Sequence, residues 1–276
     1  MKTALLQLNS GDDPEANLVK TLAYMNEAAE QGARFLLTPE VTNCVSSSRN
    51  RQREVLQHES DDITLTGLRA RARDLGVWLL IGSLGLKTDD PDGRFANRSF
   101  LIAPDGEIRA RYDKIHMFDV QVTPEETYRE SDGYRPGNRA VLAETDFGAL
   151  GMTICYDVRF AALYHALAQA GARILTVPAA FSYVTGAAHW ESLLRARAIE
   201  NGCFVLAPAQ TGVHEATTGQ KRRTHGHSLA ISPWGEVLVD AGTEPGVHVF
   251  DMDPKSVENA RQKVPSLSHA RSFDGP

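Results

Sequence analysis

The order of segments along this chain repeats itself, and that repeat limits the possible folds more than any other feature. In the second half an apolar run over 149–155 is followed by a helix-like segment over 160–170. A second apolar run (174–178), a helical segment (187–201) and a third apolar run (203–208) come next, and a hairpin pattern over 228–241 closes the series. The first half follows a similar course. A strand-like run over 3–9 precedes a helix from Pro14 to about Gln31, with Asp12 and Asp13 as capping residues and Gly32 as its stop. The short strand Phe35-Leu36-Leu37-Thr38-Pro39-Glu40, a polar irregular stretch over 42–62, a helix over 64–75 closed by Gly76 and an apolar strand over 77–83 lead to a hairpin over 97–114.

The two hairpins match in turn chemistry as well as in pattern. Phe100-Leu101-Ile102-Ala103-Pro104-Asp105-Gly106-Glu107-Ile108 parallels Leu229-Ala230-Ile231-Ser232-Pro233-Trp234-Gly235-Glu236-Val237, each reversing at a Pro-x-Gly. Several strands are apolar at every position, Val77-Trp78-Leu79-Leu80-Ile81 and Cys203-Phe204-Val205-Leu206-Ala207 among them, so each needs cover on both faces. A second sheet on one side and helices on the other would supply it. The expectation is an α/β fold, a single domain over 1–276 layered helix, sheet, sheet, helix with internal pseudo-symmetry. The polar tail over about 254–276 is expected either to lie across a partner subunit or to fray.

Composition narrows the function classes. With 42% hydrophobic and 23% charged residues the chain is of the globular kind, and no apolar run is long enough to cross a bilayer. The N-terminus starts with a strand pattern rather than a leader, so a cytoplasmic location is expected. A net charge of −6 gives no electrostatic case for nucleic acid or an anionic membrane. Three separated cysteines (Cys44, Cys155, Cys203) form neither a disulfide framework nor a metal knuckle, and His225-Gly226-His227 lacks further ligands, so reduced thiols and no metal are expected.

Three polar residues stand where apolar segments stop. Cys155 ends the 149–155 run ahead of a sharp turn at Tyr156 and Asp157, on the same strand face as the small residues Ala149, Gly151 and Thr153. A thiol on such a turn, near the positive end of the following helix, would favour the thiolate and suit a nucleophile. The competing reading is a cysteine packed as a small hydrophobe. Alternation puts Lys114 on the apolar face with Ile108, Ala110 and Tyr112, where an ammonium needs a carboxylate or a reacting oxyanion. Glu40, behind Leu36, Leu37 and Pro39, is expected to have its pKa raised into a range useful for proton transfer. A structural Glu40–Lys114 ion pair explains the same residues. Nothing in the spacing brings His116 or His189 to the thiol as a cysteine-protease dyad requires. Cys44 and Cys203 read as packing residues, and Lys221-Arg222-Arg223 as a solvated loop.

Pro39-Glu40, Asp113-Lys114-Ile115-His116-Met117-Phe118-Asp119-Val120 and Ile154-Cys155-Tyr156-Asp157-Val158-Arg159-Phe160 resemble, in order and spacing, the glutamate, lysine and cysteine motifs of the nitrilase superfamily, the carbon–nitrogen hydrolases. The resemblance covers nearly the whole chain. Ala188-His189-Trp190-Glu191-Ser192-Leu193-Leu194-Arg195-Ala196-Arg197-Ala198-Ile199-Glu200, Gly226-His227-Ser228 and Pro233-Trp234-Gly235 look like the Nit-type amidase branch that hydrolyses deaminated glutathione. Tyrosine and aspartate after Cys155 match the amidase branches; nitrilases proper have tryptophan and glutamate there.

The resemblance implies an α-β-β-α sandwich, a homodimer or higher homo-oligomer joined through helical faces, no cofactor, and a small amide as the molecule recognised. It implies Glu40, Lys114 and Cys155 as catalytic residues, with Glu130, ahead of Pro136-Gly137, supporting Lys114 or the substrate. Cys155 would attack a primary amide, Glu40 would carry the proton to departing ammonia, and Lys114 with the Tyr156 N–H would hold the oxyanion. Arg159 is a candidate for a substrate carboxylate, with pairing to Asp157 or another structural acid as the alternative; Phe118, Phe181, Tyr183, Thr185 and His189 are candidates to line the pocket. The stretch over 42–62 is expected to cover it. Other readings are an omega-amidase acting on 2-oxoglutaramate or 2-oxosuccinamate, a short-chain aliphatic amidase or nitrilase, and a catalytically silent interaction module of the same fold.

Overall fold

The structure is a computed structural model, and it describes residues 1–124 and 126–275. Glu125, in the loop ahead of Glu130, and Pro276, the end of the expected tail, lie outside the described residues. The strands are β1 (Lys2–Gln7), β2 (Phe35–Leu37), β3 (Trp78–Leu86), β4 (Ala96–Ile102), β5 (Ile108–Asp113), β6 (Asp119–Gln121), β7 (Thr127–Arg129), β8 (Val141–Ala143), β9 (Leu150–Met152), β10 (Ile174–Thr176), β11 (Phe204–Ala207), β12 (Thr211–Val213), β13 (Arg223–His225), β14 (Leu229–Ile231), β15 (Val237–Asp240) and β16 (Gly246–Asp251). The helices are α1 (Pro14–Glu30), α2 (Arg49–Val55), α3 (Ile63–Leu75), α4 (Ala161–Gln169), α5 (Tyr183–Asn201), α6 (Lys255–Lys263) and α7 (Ser266–His269).

Twelve strands form two six-stranded sheets, ordered β16-β1-β2-β3-β4-β5 and β8-β9-β10-β11-β14-β15. From the first strand named, both run antiparallel, parallel, parallel, antiparallel, antiparallel. The repeat extends to the hairpin turns. Gly106 donates to Ala103 O and Gly235 to Ser232 O, both at 2.9 Å. Their φ angles are 81° and 88°, the left-handed region that glycine enters without penalty. Register shifts fall at equivalent places too, between Leu101 and Ile102 in one hairpin and between Ala230 and Ile231 in the other.

Alternation along the strands builds the layers. Leu36, Leu79, Ile81 and Phe100 share a core with Met25 and Ala28 of α1 and Leu65, Leu68 and Ala72 of α3. Their neighbours Leu5, Leu37, Leu80 and Leu101 join Met152, Leu175 and Val205 of the second sheet, and this core continues to Tyr164 of α4 and Trp190 of α5. Asp13 caps α1 by accepting from Glu15 and Ala16. Asp62 caps α3, which Gly76 closes at φ 62°.

Four expectations change. The 42–62 stretch contains α2; α5 begins at Tyr183 rather than 187; β9 ends at Met152, so Cys155 opens a 3-10 turn (Cys155–Arg159) rather than ending a strand. The tail does not fray throughout. α6 buries Val257 and Ala260, Arg261 donates to Ala172 O at 2.6 Å, and Glu258 pairs with Arg173. Among the described residues no helix is long and apolar enough to cross a membrane.

Candidate active site

The loops after β2, β5, β9 and β10 meet at one end of the sandwich because the backbones there pass unusually close. At Gly82 in β3, a Cβ would stand 2.0 Å from Thr38 O and 2.5 Å from both Pro39 O and Pro178 Cβ. Only glycine lets β3 touch the loop carrying Glu40 on one side and the loop supporting Cys155 on the other, where the Cys155 N–H donates to Pro178 O at 2.9 Å. Val41 and Cys155 both hold left-handed backbone, at φ 47° and 49°, a conformation uncommon for side chains of these types. Strain of this kind persists where the surroundings over-determine it and clusters at functional sites. Here the Val41 N–H is fixed by Ser83 Oγ at 2.8 Å.

Lys114 follows β5 and is 2% exposed. Its carbonyl accepts from Gly137 at 2.7 Å and its N–H donates to Asn97 O at 3.0 Å, so the Pro136-Gly137 turn backs the lysine directly. The Lys114 Nζ donates to Glu40 Oε1 at 2.8 Å and to both Glu130 oxygens at 3.0 and 2.9 Å. Glu40, 3% exposed, also accepts from Asn97 Nδ2 at 2.9 Å and from the Ala180 N–H at 2.8 Å. The second Glu130 oxygen accepts from the Phe118 N–H at 2.7 Å. The Cys155 thiol lines the same cavity as Glu40 and Lys114, and both charges act on it.

These contacts reverse two expectations about charge. Burial alone would raise the Glu40 pKa, but the Lys114 ammonium and its hydrogen bond, helped by Arg222, hold it below the ordinary carboxylate value. Burial works against the Lys114 charge too, yet Glu130 and Glu40 together raise its pKa well above normal. Burial and the Glu40 carboxylate push the Cys155 thiol up, and Lys114 only partly offsets them. The resting cluster is therefore carboxylate, ammonium and neutral thiol, not the thiolate expected from the helix end.

The cluster floors a cavity of about 660 Å3. Glu130, Phe118, Phe181 and Tyr183 line it as expected, as do Cys44, Arg49 and Gln52 from the stretch expected to cover the site. Tyr156, Thr185, Arg159 and His189 are not among its lining residues. His189 belongs instead to a second cavity of about 300 Å3, with Trp190, His225 and His227. Arg159 does not pair with Asp157, which is fully buried and accepts from Tyr112 Oη at 2.6 Å, Ile154 N–H at 2.9 Å and His116 N–H at 3.0 Å. The Arg159 guanidinium lies over the rings of Tyr156 and Phe181, 3.2 Å from His189 Nδ1.

Asn97 and Arg222 are the residues that sequence reasoning missed. A buried asparagine at the start of a hairpin strand was the available signal for the first; the second was read as part of a solvated run, whereas it lines the cavity beside Ala180. Among the described residues no set of three histidine, cysteine, aspartate or glutamate side chains is placed to hold a metal.

A double-sheet sandwich with a thiol, a carboxylate and an ammonium sharing one cavity floor defines a hydrolytic enzyme rather than a passive module. The model of the carbon-nitrogen hydrolase family matches residues 2–262, and the chain belongs to that family. It is 40% identical over 269 residues to a deaminated glutathione amidase of Yersinia enterocolitica, covering 97% of this chain and 92% of that one. The crystal structure of the Caenorhabditis elegans NitFhit protein superposes with a TM-score of 0.90 at 34% identity, over 98% of this chain and 65% of that one. An amidase from Nesterenkonia sp. AN1, captured after Michael addition of acrylamide at its active-site cysteine, superposes with a TM-score of 0.76 at 27% identity, over 96% of this chain and 98% of that one.

Proposed function

We propose that this carbon–nitrogen hydrolase is an amidase for a small carboxylate-bearing amide, with deaminated glutathione the first candidate, and that it works through a thioester on Cys155. The observation that carries the reading is one cavity lined by Glu40, Lys114 and Cys155, in which the Glu40 carboxylate is hydrogen-bonded to the Lys114 ammonium and acts electrostatically on the Cys155 thiol. As the sulfur attacks the carbonyl carbon, Glu40 takes the thiol proton and the C=O pair moves onto oxygen. The oxyanion is held by Lys114 Nζ and the Tyr156 N–H, which comes before the first bond of the 3-10 turn, Asp157 N–H to Ile154 O at 3.1 Å. Glu40 then protonates the departing nitrogen as the C–N bond breaks. Water, deprotonated by Glu40, cleaves the thioester and restores the thiol. Glu130 and Asn97 keep Lys114 and Glu40 in register.

The similarity to a relative named for deaminated glutathione supports that substrate. Its departing group is the remaining dipeptide amine, whereas a primary amide releases ammonia, so an assay should read both. The test is hydrolysis of deaminated glutathione, 2-oxoglutaramate and short aliphatic amides by the wild type and by Cys155→Ala. Deaminated glutathione should be preferred and the variant should fall to background. Turnover that survives Cys155→Ala would end the mechanism, and a preference for 2-oxoglutaramate would move the substrate. The same reading includes a cytoplasmic location and a homodimer through the outer helices, where α5 leaves Ile199 55% exposed. Sedimentation at micromolar concentration tests the dimer.

A further inference from the structure

The chain carries a net charge of −6, yet its cavity is lined by six basic against four acidic side chains. Among the described residues two of the six are paired with carboxylates. Lys114 holds Glu40 and Glu130, and Lys221 pairs with Glu215 at 2.6 Å. Arg49 donates to Gln52 at 2.7 Å and lies over Tyr134, while Arg223 covers the Tyr183 ring at 3.7 Å.

Like Arg49, Arg129 and Arg223, Arg222 lines the cavity without an ion pair among the described residues; what sets it apart is its bond to Ala180, the residue whose N–H also holds Glu40. One amino group donates to Ala180 O and the guanidinium sits over the Tyr128 ring at 5.8 Å. Its Nε–H is buried without an acceptor. A guanidinium offers five N–H donors in a planar fork suited to a carboxylate, and most of these are unused.

Its position fixes what kind of carboxylate would fit. Ala180 holds Arg222 through its carbonyl and Glu40 through its N–H. One residue and two hydrogen bonds therefore separate the guanidinium from Glu40, a reach of ~9 Å at most. Substrate whose scissile carbonyl sits at Cys155 would present a carboxylate there if it were joined through a chain of a few carbons.

We infer that Arg222 is a specificity residue that binds the free carboxylate of an amide substrate, separated from the scissile amide by a short carbon chain. The inference rests on the amidase reading above and extends it by giving the anion a binding partner. The fork donates its unused N–H groups to the carboxylate oxygens in two parallel charge-assisted bonds.

The test compares each monoamide of malonic, succinic and glutaric acid with the corresponding uncharged diamide, in the wild type, Arg222→Gln and Arg222→Lys. The readout is the ratio of kcat/KM for monoamide over diamide within one preparation, which does not depend on the fraction folded. The wild type should prefer the monoamide at the best chain length. Arg222→Gln should lower that ratio by on the order of 10- to 100-fold, mainly through KM, and Arg222→Lys should recover part of it. A ratio unchanged in Arg222→Gln, with both substrates falling together, would overturn the assignment and make Arg222 a positioning residue for Glu40. So would a wild type that hydrolyses amides without preferring the anion. A wild type inactive on every amide, deaminated glutathione included, would overturn the amidase reading and this inference with it.

Discussion

Lys114 has two carboxylates to hold and one charge to hold them with. In the wild type, Glu40 is kept ionised below the ordinary carboxylate pKa by that ammonium. Its contribution to stability is fully present above the unfolded-state value, about 4.3, and is lost as pH falls through the lower folded value. Lys114→Met should invert this dependence. Glu40 and Glu130, deprived of their cation and packed together, would repel each other, and one would keep a proton near neutrality. A carboxyl whose folded pKa is raised costs stability as pH rises, so the variant should be less stable at pH 7 than at pH 5.5 relative to wild type. Breaking a buried ion pair from one side typically costs about 3–5 kcal/mol. Turnover should drop by ~100-fold or more if Lys114 meets the oxyanion. Urea unfolding at the two pH values checks the first statement, and parallel pH dependence in the two proteins would contradict it.

At the scale of elements, the site depends on how closely β3 passes two loops. Gly82→Ala would place a methyl group against Thr38 O, Pro39 O and Pro178, two of them backbone carbonyls that cannot swing away. Overpacking of this kind costs roughly 1–3 kcal/mol. A shift of about 1 Å at Glu40 or Cys155 is enough for a ~100-fold loss in rate. The expected result is a folded, destabilised protein whose kcat/KM falls further than its stability explains; wild-type stability would show that the close approach is relieved elsewhere. The same contrast explains what the sequence made legible. The paired hairpins were readable because Pro104-Asp105-Gly106 and Pro233-Trp234-Gly235 set their turns by local chemistry alone. Helix α2, Arg-Asn-Arg-Gln-Arg-Glu-Val, has no apolar period to announce it, and the start of α5 is masked by the β-branched Val184 and Thr185. The meeting of Glu40, Lys114 and Cys155 was foreseen from strand ends and from family motifs. Their protonation states were not, because those depend on neighbours supplied by distant parts of the chain.

The two halves repeat each other without being independent. Strand β16, from the C-terminal end of the chain, forms the edge of the first sheet beside β1, and Met1 and Met252 exchange hydrogen bonds at 2.7 and 2.9 Å. Between the sheets, Leu5, Leu37, Leu80 and Leu101 are completely buried against residues of the second half. The first half alone would expose that face and lack an edge strand, a large loss of the apolar burial that drives folding. We therefore expect residues 1–276 to unfold as one domain. Of the three tryptophans, Trp78 in β3 belongs to the first half and donates to Asp146 at 3.1 Å across the sheets, whereas Trp190 in α5, which donates to His227 O at 2.8 Å, and Trp234 belong to the second. Urea unfolding followed by fluorescence in Trp78→Phe, which keeps only second-half tryptophans, and in the double variant Trp190→Phe with Trp234→Phe, which keeps only Trp78, each compared with far-UV circular dichroism of the same protein, should give superimposable transitions. A Trp78 signal lost at lower urea than the dichroism would mean that the sheets separate before the halves unfold, and the chain would then be two domains sharing an interface.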